Sequence, residues 1–278
     1  LIVTDNFAMN YSNSPMRSAD QLYSTMDATK RSPTATRVWL AFLRSSGKYS
    51  TVTGVPDITI AGAPYVQPIP NNLRLLFTHQ STKLRDIVKA TMCYSNNFLA
   101  ERLGDMIGGP YAVARVVQQG AAIPQNEFSI QTASGLGINR VTPNAMMRLL
   151  RALRSELDRY NMDFADIMPV AGVDRGTLEN RFDTDFATGS VVGKTGTLGR
   201  TDSGVSALSG EINTQNGKFL FVIFNQRGSV SRFRTFQNYF VSLLQGQFGG
   251  AAPIGYQPTP LDTLLSRTLI TETNGKSY

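Results

Sequence analysis

Regular spacing of apolar residues begins at Ser32-Pro33, where a serine N-cap precedes a proline at the first helical position. Val38, Trp39, Phe42 and Leu43 then recur at helical spacing on a predicted inner face, and Gly47 ends the helix. Tyr49 to Val55 reads as a strand. A loop with Pro56, Pro64, Pro68 and Pro70 follows, and Leu73 to Thr78 reads as a short buried strand. Ser81 is placed to cap a helix whose inner face carries Leu84, Ile87, Val88 and Thr91. The next helix runs through Phe98, Leu99, Leu103 and Ile107 and closes at Gly108-Gly109-Pro110. Thr142-Pro143 opens another, to about Arg159. The period then changes. Ser190 to Leu198, Gly204 to Ile212 and Lys218 to Asn225 read as strands, with Gln215-Asn216-Gly217 as the hairpin turn between the last two. An amphipathic helix spans Val230 to Gln245, and Phe219, Phe221, Phe224, Phe233, Phe236, Tyr239 and Phe240 are expected to form the core between it and the last strand.

Helices, then three antiparallel strands, then a closing helix predict an α+β layered domain, an antiparallel sheet flanked by helices. The 278 residues are 41% hydrophobic and 17% charged, which argues against disorder or a fibrous repeat. One His and one Cys exclude zinc fingers, a disulfide framework, a two-His zinc protease and a CxxC redox centre. A Ser-His-Asp triad could use only His79, which reads better as a loop or cap residue, and Cys93 reads as a small buried hydrophobe. The net charge of +7 is spread without a run of five basic residues, so it describes a solvated basic surface. No groove-reading motif accompanies it, and nucleic acid is not expected as a partner. No apolar stretch reaches the roughly 18 residues of a membrane span, and no signal peptide is visible. The chain opens on Leu1-Ile2-Val3-Thr4, a strand-like run without Met, as a piece of a longer protein would.

Two short motifs carry the chemistry. Lys194-Thr195-Gly196-Thr197 sits in a predicted strand and puts an ammonium, hydroxyls and an unobstructed backbone edge in one line, where an extended peptide could pair. Ser95-Asn96-Asn97, between two helices, offers a hydroxyl and an amide that both donates and accepts. Its bland alternative is a helix N-cap. Together, in this order, the pair resembles the signature of the penicillin-recognising serine acyl-transferases. Other segments continue the resemblance in order: Leu1 to Phe7, Ser81 to Leu84, Ser95 to Glu101, Ser134-Gly135-Leu136, Pro169 to Gly172, Gly176-Thr177-Leu178 with Arg181, and Gly193 to Leu198 followed by Ser209-Gly210. Over residues 1 to 248 the chain looks like a D-alanyl-D-alanine carboxypeptidase/endopeptidase of the low-molecular-mass penicillin-binding proteins.

The resemblance implies a β-lactamase/transpeptidase-like fold, incomplete at the N-terminus. Residues 1–30 would be the remainder of an inserted accessory domain, 31–248 the C-terminal part of the transpeptidase-like domain, and 249–278 a tail. It also implies acyl transfer from a D-Ala-D-Ala peptide to a serine and then to water. The partners implied are peptidoglycan peptides or β-lactams, the setting periplasmic or facing the cell wall, and no metal or organic cofactor is needed. On this analogy Ser95 relays a proton toward the leaving amine and Asn97 binds the substrate amide. Lys194 supplies positive potential, Thr195 and Thr197 bind the substrate carboxylate beside Gly196, and the Thr197 N–H lines the oxyanion hole.

One element departs from the pattern. The family's nucleophile is the Ser of a Ser-x-x-Lys at the start of a buried helix. The only such spacing here, Ser45-Ser46-Gly47-Lys48, falls at a predicted helix end, so Ser45 reads as a surface residue. Smaller departures are Tyr94, where the family often has a basic residue, and Thr132-Ala133, where it often has Asp-Gly. The acylating serine is therefore expected outside these residues. The alternatives are an inactive relative that binds peptidoglycan or a partner protein, and a related serine esterase or β-lactamase.

Overall fold

The computed structural model describes residues 14–45, 51–65, 67–68, 71–72, 77–184, 187–260, 263 and 269–272. The chain forms two compact units, Leu1–Arg74 and Leu75–Tyr278. The boundary thus falls after Arg74, whereas a boundary near residue 30 was expected. The reason is local. Asp27 bridges Ile58, its carboxylate accepts the Ile60 N–H at 2.8 Å, and Arg31 reaches the Pro56 carbonyl. These bonds tie residues 56–60 to the end of the first helix.

In the first unit, helices α1 (Pro15–Met26) and α2 (Pro33–Ser45) are described. Ser32 caps α2 as predicted, accepting the Ala35 N–H at 3.1 Å. Val38 is 65% exposed instead of inward. Residues 51–55 form no strand, and Leu1 to Phe7, Gly47-Lys48 and Leu73 to Leu76 lie outside the described residues.

The second unit orders β1 (Phe77–Gln80), α3 (Leu84–Tyr94), α4 (Asn97–Ile107), α5 (Pro110–Gly120), β2 (Phe128–Ser129), β3 (Arg140–Val141), α6 (Pro143–Arg159), α7 (Phe164–Ile167), β4 (Val191–Leu198), β5 (Val205–Thr214), β6 (Gly217–Gln226), α8 (Val230–Gln247) and β7 (Leu269–Glu272). Strands β4, β5 and β6 form one antiparallel sheet in that order, with the Thr214↔Gly217 pair closing the predicted hairpin. Val191, Leu208, Ile212, Phe221 and Ile223 pack with Val241 of α8 on one face. Val192 packs on the other with Leu150 and Leu157 of α6 and Phe164 of α7. This alternation is the strand period put to use. The α+β architecture stands as expected, with helices on both faces of the sheet.

Three details differ. Helix α5 carried no recognised start signal, although Gly109 and Pro110 provide one. Phe236 and Tyr239 are exposed, while Gln237, Val241 and Gln245 form the buried stripe of α8. The segment after Gly249 is also no loose tail. Ala252 N–H donates to Asn213 O, Ile254 N–H to Gly189 O, and β7 pairs with β1. Aperiodic Gly/Pro sequence conceals this strap, because backbone hydrogen bonds hold it. His79 sits in β1 opposite Ile270, within a strand instead of a loop.

Candidate active site

Helix α3 ends where Ser95 turns left-handed (φ 51°, ψ 50°), a conformation uncommon for a residue with a β-carbon. Asn96 takes the capping role for α4, accepting the Leu99 N–H at 3.1 Å. Ser95 is therefore free of the capping duty that was its bland alternative, and its Oγ accepts a hydrogen bond from Lys194 Nζ at 2.9 Å. Lys194 also donates to the Thr195 carbonyl. The fold thus brings together two motifs 99 residues apart. Asn97 is exposed at the first position of α4.

Lys194 makes no ion pair among the described residues. Burial pushes its ammonium down to about 8, offset in part by the Cys93 sulfur. A lysine poised there can both give and take a proton near neutrality. Cys93 itself is fully buried, and the same desolvation pushes its thiol up to about 12. It is the inert small hydrophobe anticipated.

The loop after Pro169 holds the end of α3 in place. Thr177 N–H donates to the Cys93 carbonyl at 2.9 Å, two residues before Ser95. Gly176 (φ +120°) passes so close that a β-carbon would lie 2.2 Å from that carbonyl oxygen. Beneath it Lys89 of α3 is buried against Asp174 at 2.6 Å, and it also donates to the Ala165 and Met168 carbonyls. Asp174 accepts in addition the Val170 N–H and, at 3.1 Å, the Tyr256 hydroxyl. Sequence reading missed this cluster. The buried residues of α3 are Asp86, Lys89, Ala90, Thr91 and Cys93; of the expected inner face Thr91 is buried and Ile87 and Val88 are half-buried, while Leu84 is 61% exposed. Ser81 does not cap α3 either, since Lys83 occupies the cap without a side-chain bond.

Two more elements frame the site. Glu101 accepts the Ala133 and Ser134 N–H groups, which tie the 131–139 loop to α4. Burial opposes its charge, but the bonds from Ser134 and Ala133 prevail and hold the carboxyl below its ordinary range. Strand β4 lies at the edge of its sheet. Gly193 N–H donates to Pro169 O and Val191 O accepts from Ala171, so these groups face away from β5. By the two-residue alternation, the backbone N–H and C=O of Thr195 and Thr197 face the same way, beyond the Pro169–Ala171 segment. Close backbone approach falls at Gly176, whereas at Gly196 a β-carbon would meet only ordinary contact.

The model of the D-Ala-D-Ala carboxypeptidase 3 (S13) family matches residues 42–245. The chain belongs to this family. A D-alanyl-D-alanine carboxypeptidase from an Actinomadura species is 31% identical over 219 residues, 73% of this chain and 39% of that relative. The chain thus spans about two fifths of that protein's length. Two solved structures share the fold. The Bd3459 predatory endopeptidase of Bdellovibrio bacteriovorus, in complex with immunity protein Bd3460, has a TM-score of 0.72 at 21% identity, over 89% of this chain and 65% of its own. Bd0816 from the same organism has 0.71 at 23% identity, over 91% and 66%. In the S13 chain described here, no helix among the described residues is long and apolar enough to cross a membrane.

Proposed function

We propose that the protein is a serine-type D-Ala-D-Ala carboxypeptidase or endopeptidase acting on peptidoglycan peptides on the extracytoplasmic side. The observation that carries this is the Lys194 Nζ to Ser95 Oγ hydrogen bond beside an open strand edge. An extended acyl-peptide lies along β4, with its scissile carbonyl oxygen at the Thr197 N–H and its carboxylate near Thr195 and Thr197. Asn97 holds the substrate amide. A serine supplied by the rest of the protein attacks the carbonyl carbon, forming the acyl C–O bond as the C–N bond breaks. Ser95 gives its proton to the leaving amine and recovers one from Lys194, and Lys194 regains its proton from the attacking hydroxyl. Water then cleaves the ester, its hydroxyl going to the acyl carbon and its remaining hydrogen to the serine oxygen. Acylation of a homologous fold is known from Bd3459, whose structure has been solved acylated by penicillin G.

The acylating serine is proposed to lie outside these residues. Helix α2 ends at Ser45, so this serine sits at the negative end of a helix, where the dipole disfavours an oxyanion. The same observation favours, secondarily, an inactive peptide-binding relative. Intact mass before and after penicillin decides. This chain is expected to gain nothing, and the full-length protein one equivalent. An adduct on this chain, mapped to Ser45 or Ser95, overturns the assignment of the nucleophile. No adduct on the full-length protein selects the binding relative. Faster turnover of nitrocefin than of D-Ala-D-Ala peptide points to a β-lactamase instead.

A further inference from the structure

The strap after Gly249 reaches the active site through one side chain that the proposed reaction leaves unused. Ala252 N–H donates to Asn213 O and Ile254 N–H to Gly189 O. The strap therefore alternates like a strand, with Ala252, Ile254 and Tyr256 half-buried and Pro253 and Gly255 exposed. Ile254 and Tyr256 pack against the cluster that holds Val170 and Val192. The Tyr256 hydroxyl donates to Asp174 Oδ1 at 3.1 Å, and the Lys89 ammonium lies 4.7 Å from its ring centre. Burial, and after it the Asp174 charge, pushes that hydroxyl above its ordinary range, so it stays a donor. Asp174 Oδ2 accepts the Val170 N–H at 2.8 Å and the Lys89 ammonium at 2.6 Å.

Residues 169–177 are bonded to both halves of the Lys194–Ser95 pair. Gly193 N–H donates to Pro169 O and Ala171 N–H to Val191 O, which fixes the strand that carries Lys194. Thr177 N–H donates to Cys93 O, two residues before Ser95. The Cys93 thiol lies among these groups and feels the charges of Lys89, Asp174 and Lys194 alike. A close-packed interior passes a shift of Asp174 on to both sides of the pair.

We propose that Tyr256 is a positioning residue of the Lys194–Ser95 pair: through Asp174 its hydroxyl holds the 169–177 loop, and the loop keeps Lys194 within hydrogen-bond reach of Ser95. The inference rests on the reading of Lys194 as the proton source for Ser95. Without the hydroxyl, Asp174 Oδ1 takes a water in place of a fixed donor. The loop gains freedom, and the pair loosens.

Tyr256→Phe tests this, because it keeps the ring beside Lys89 and removes only the hydroxyl. Ile123→Val, in the separate cluster with Phe128 and Ala145, serves as the control for a general loss of stability. The Lys194 midpoint is followed by ¹³C NMR in the intact chain. Penicillin acylation of the full-length protein is resolved into the affinity of the first complex and the acylation rate constant. Tyr256→Phe is expected to raise the midpoint by about half a unit or more, as water reaches the ammonium. Acylation is expected to slow about tenfold with the affinity unchanged. Ile123→Val should move neither. If Tyr256→Phe lowers the melting temperature but leaves midpoint and rate constant at their wild-type values, Tyr256 is merely structural and the proposal is overturned. Equal changes in both variants overturn it as well. A raised midpoint with an unchanged rate constant supports the positioning and overturns Lys194 as the proton source. If penicillin does not acylate the wild-type full-length protein, the enzymatic reading falls, and the midpoint alone decides the positioning.

Discussion

Two lysines of the second unit flank the Ser95 motif, Lys89 from the same helix and Lys194 through its hydrogen bond to the Ser95 hydroxyl, and they are provided for differently. Lys89 has a carboxylate, two carbonyls and the face of the Tyr256 ring at 4.7 Å. Lys194 has a hydroxyl and one carbonyl. A buried ammonium with a counter-charge is a fixed part of the structure, and removing either partner strands the other. The half-buried Lys194 ammonium, with only neutral partners, is desolvated without a counter-charge to compensate, so its proton is loosely held. The first lysine holds the loop that shapes the site; the second does its chemistry.

This contrast predicts opposite failures. Lys89→Met or Asp174→Asn is expected to lower the unfolding free energy by about 3–5 kcal/mol in chemical denaturation. The double variant Lys89→Met with Asp174→Leu should recover much of that loss. Lys194→Met should leave stability unharmed but slow penicillin acylation of the full-length protein by about 10²–10³-fold, followed by stopped flow. If both lysines cost mainly stability, the division of labour is wrong.

The pH dependence sharpens the same point. Lys194 titrates near 8 in the folded chain against 10.5 as its ordinary value. Between these values the unfolded chain binds more protons, so stability rises with pH across the window and is flat with respect to this group below it. In Lys194→Met that rise should disappear from denaturation curves recorded from pH 7 to 10. A smaller loss, about 2–3 kcal/mol, is expected for Gly176→Ala, where a β-carbon meets the Cys93 carbonyl at positive φ. Calorimetric melting measures it. Cys93 should show the least effect of all. Its buried, protonated thiol is expected to react with a disulfide reagent at least about a hundredfold more slowly than in the unfolded chain.

Much of this was legible because periodicity and caps are local. Pro143–Arg159 and the three strands, the last two joined by the Gln215-Asn216 turn, stand close to their predicted bounds, and the Ser95 and Lys194 motifs do meet. What escaped was burial that defies the apolar pattern. Lys89, Asp86 and Gln237 lie inside, while Leu84, Val38 and Tyr239 lie outside, because paired charges and bonded amides fill core positions that a hydrophobic count assigns elsewhere. The strap after Gly249 escaped for a related reason: main-chain bonds leave no side-chain signature.

The most direct test is the titration of the Lys194 side chain itself, followed by ¹³C NMR of its ε-methylene, with Lys194→Met to assign the signal. The account predicts a midpoint near 8. A midpoint near the ordinary 10.5 would show a solvated or ion-paired ammonium and contradict the proposed role of Lys194 as the proton source for Ser95.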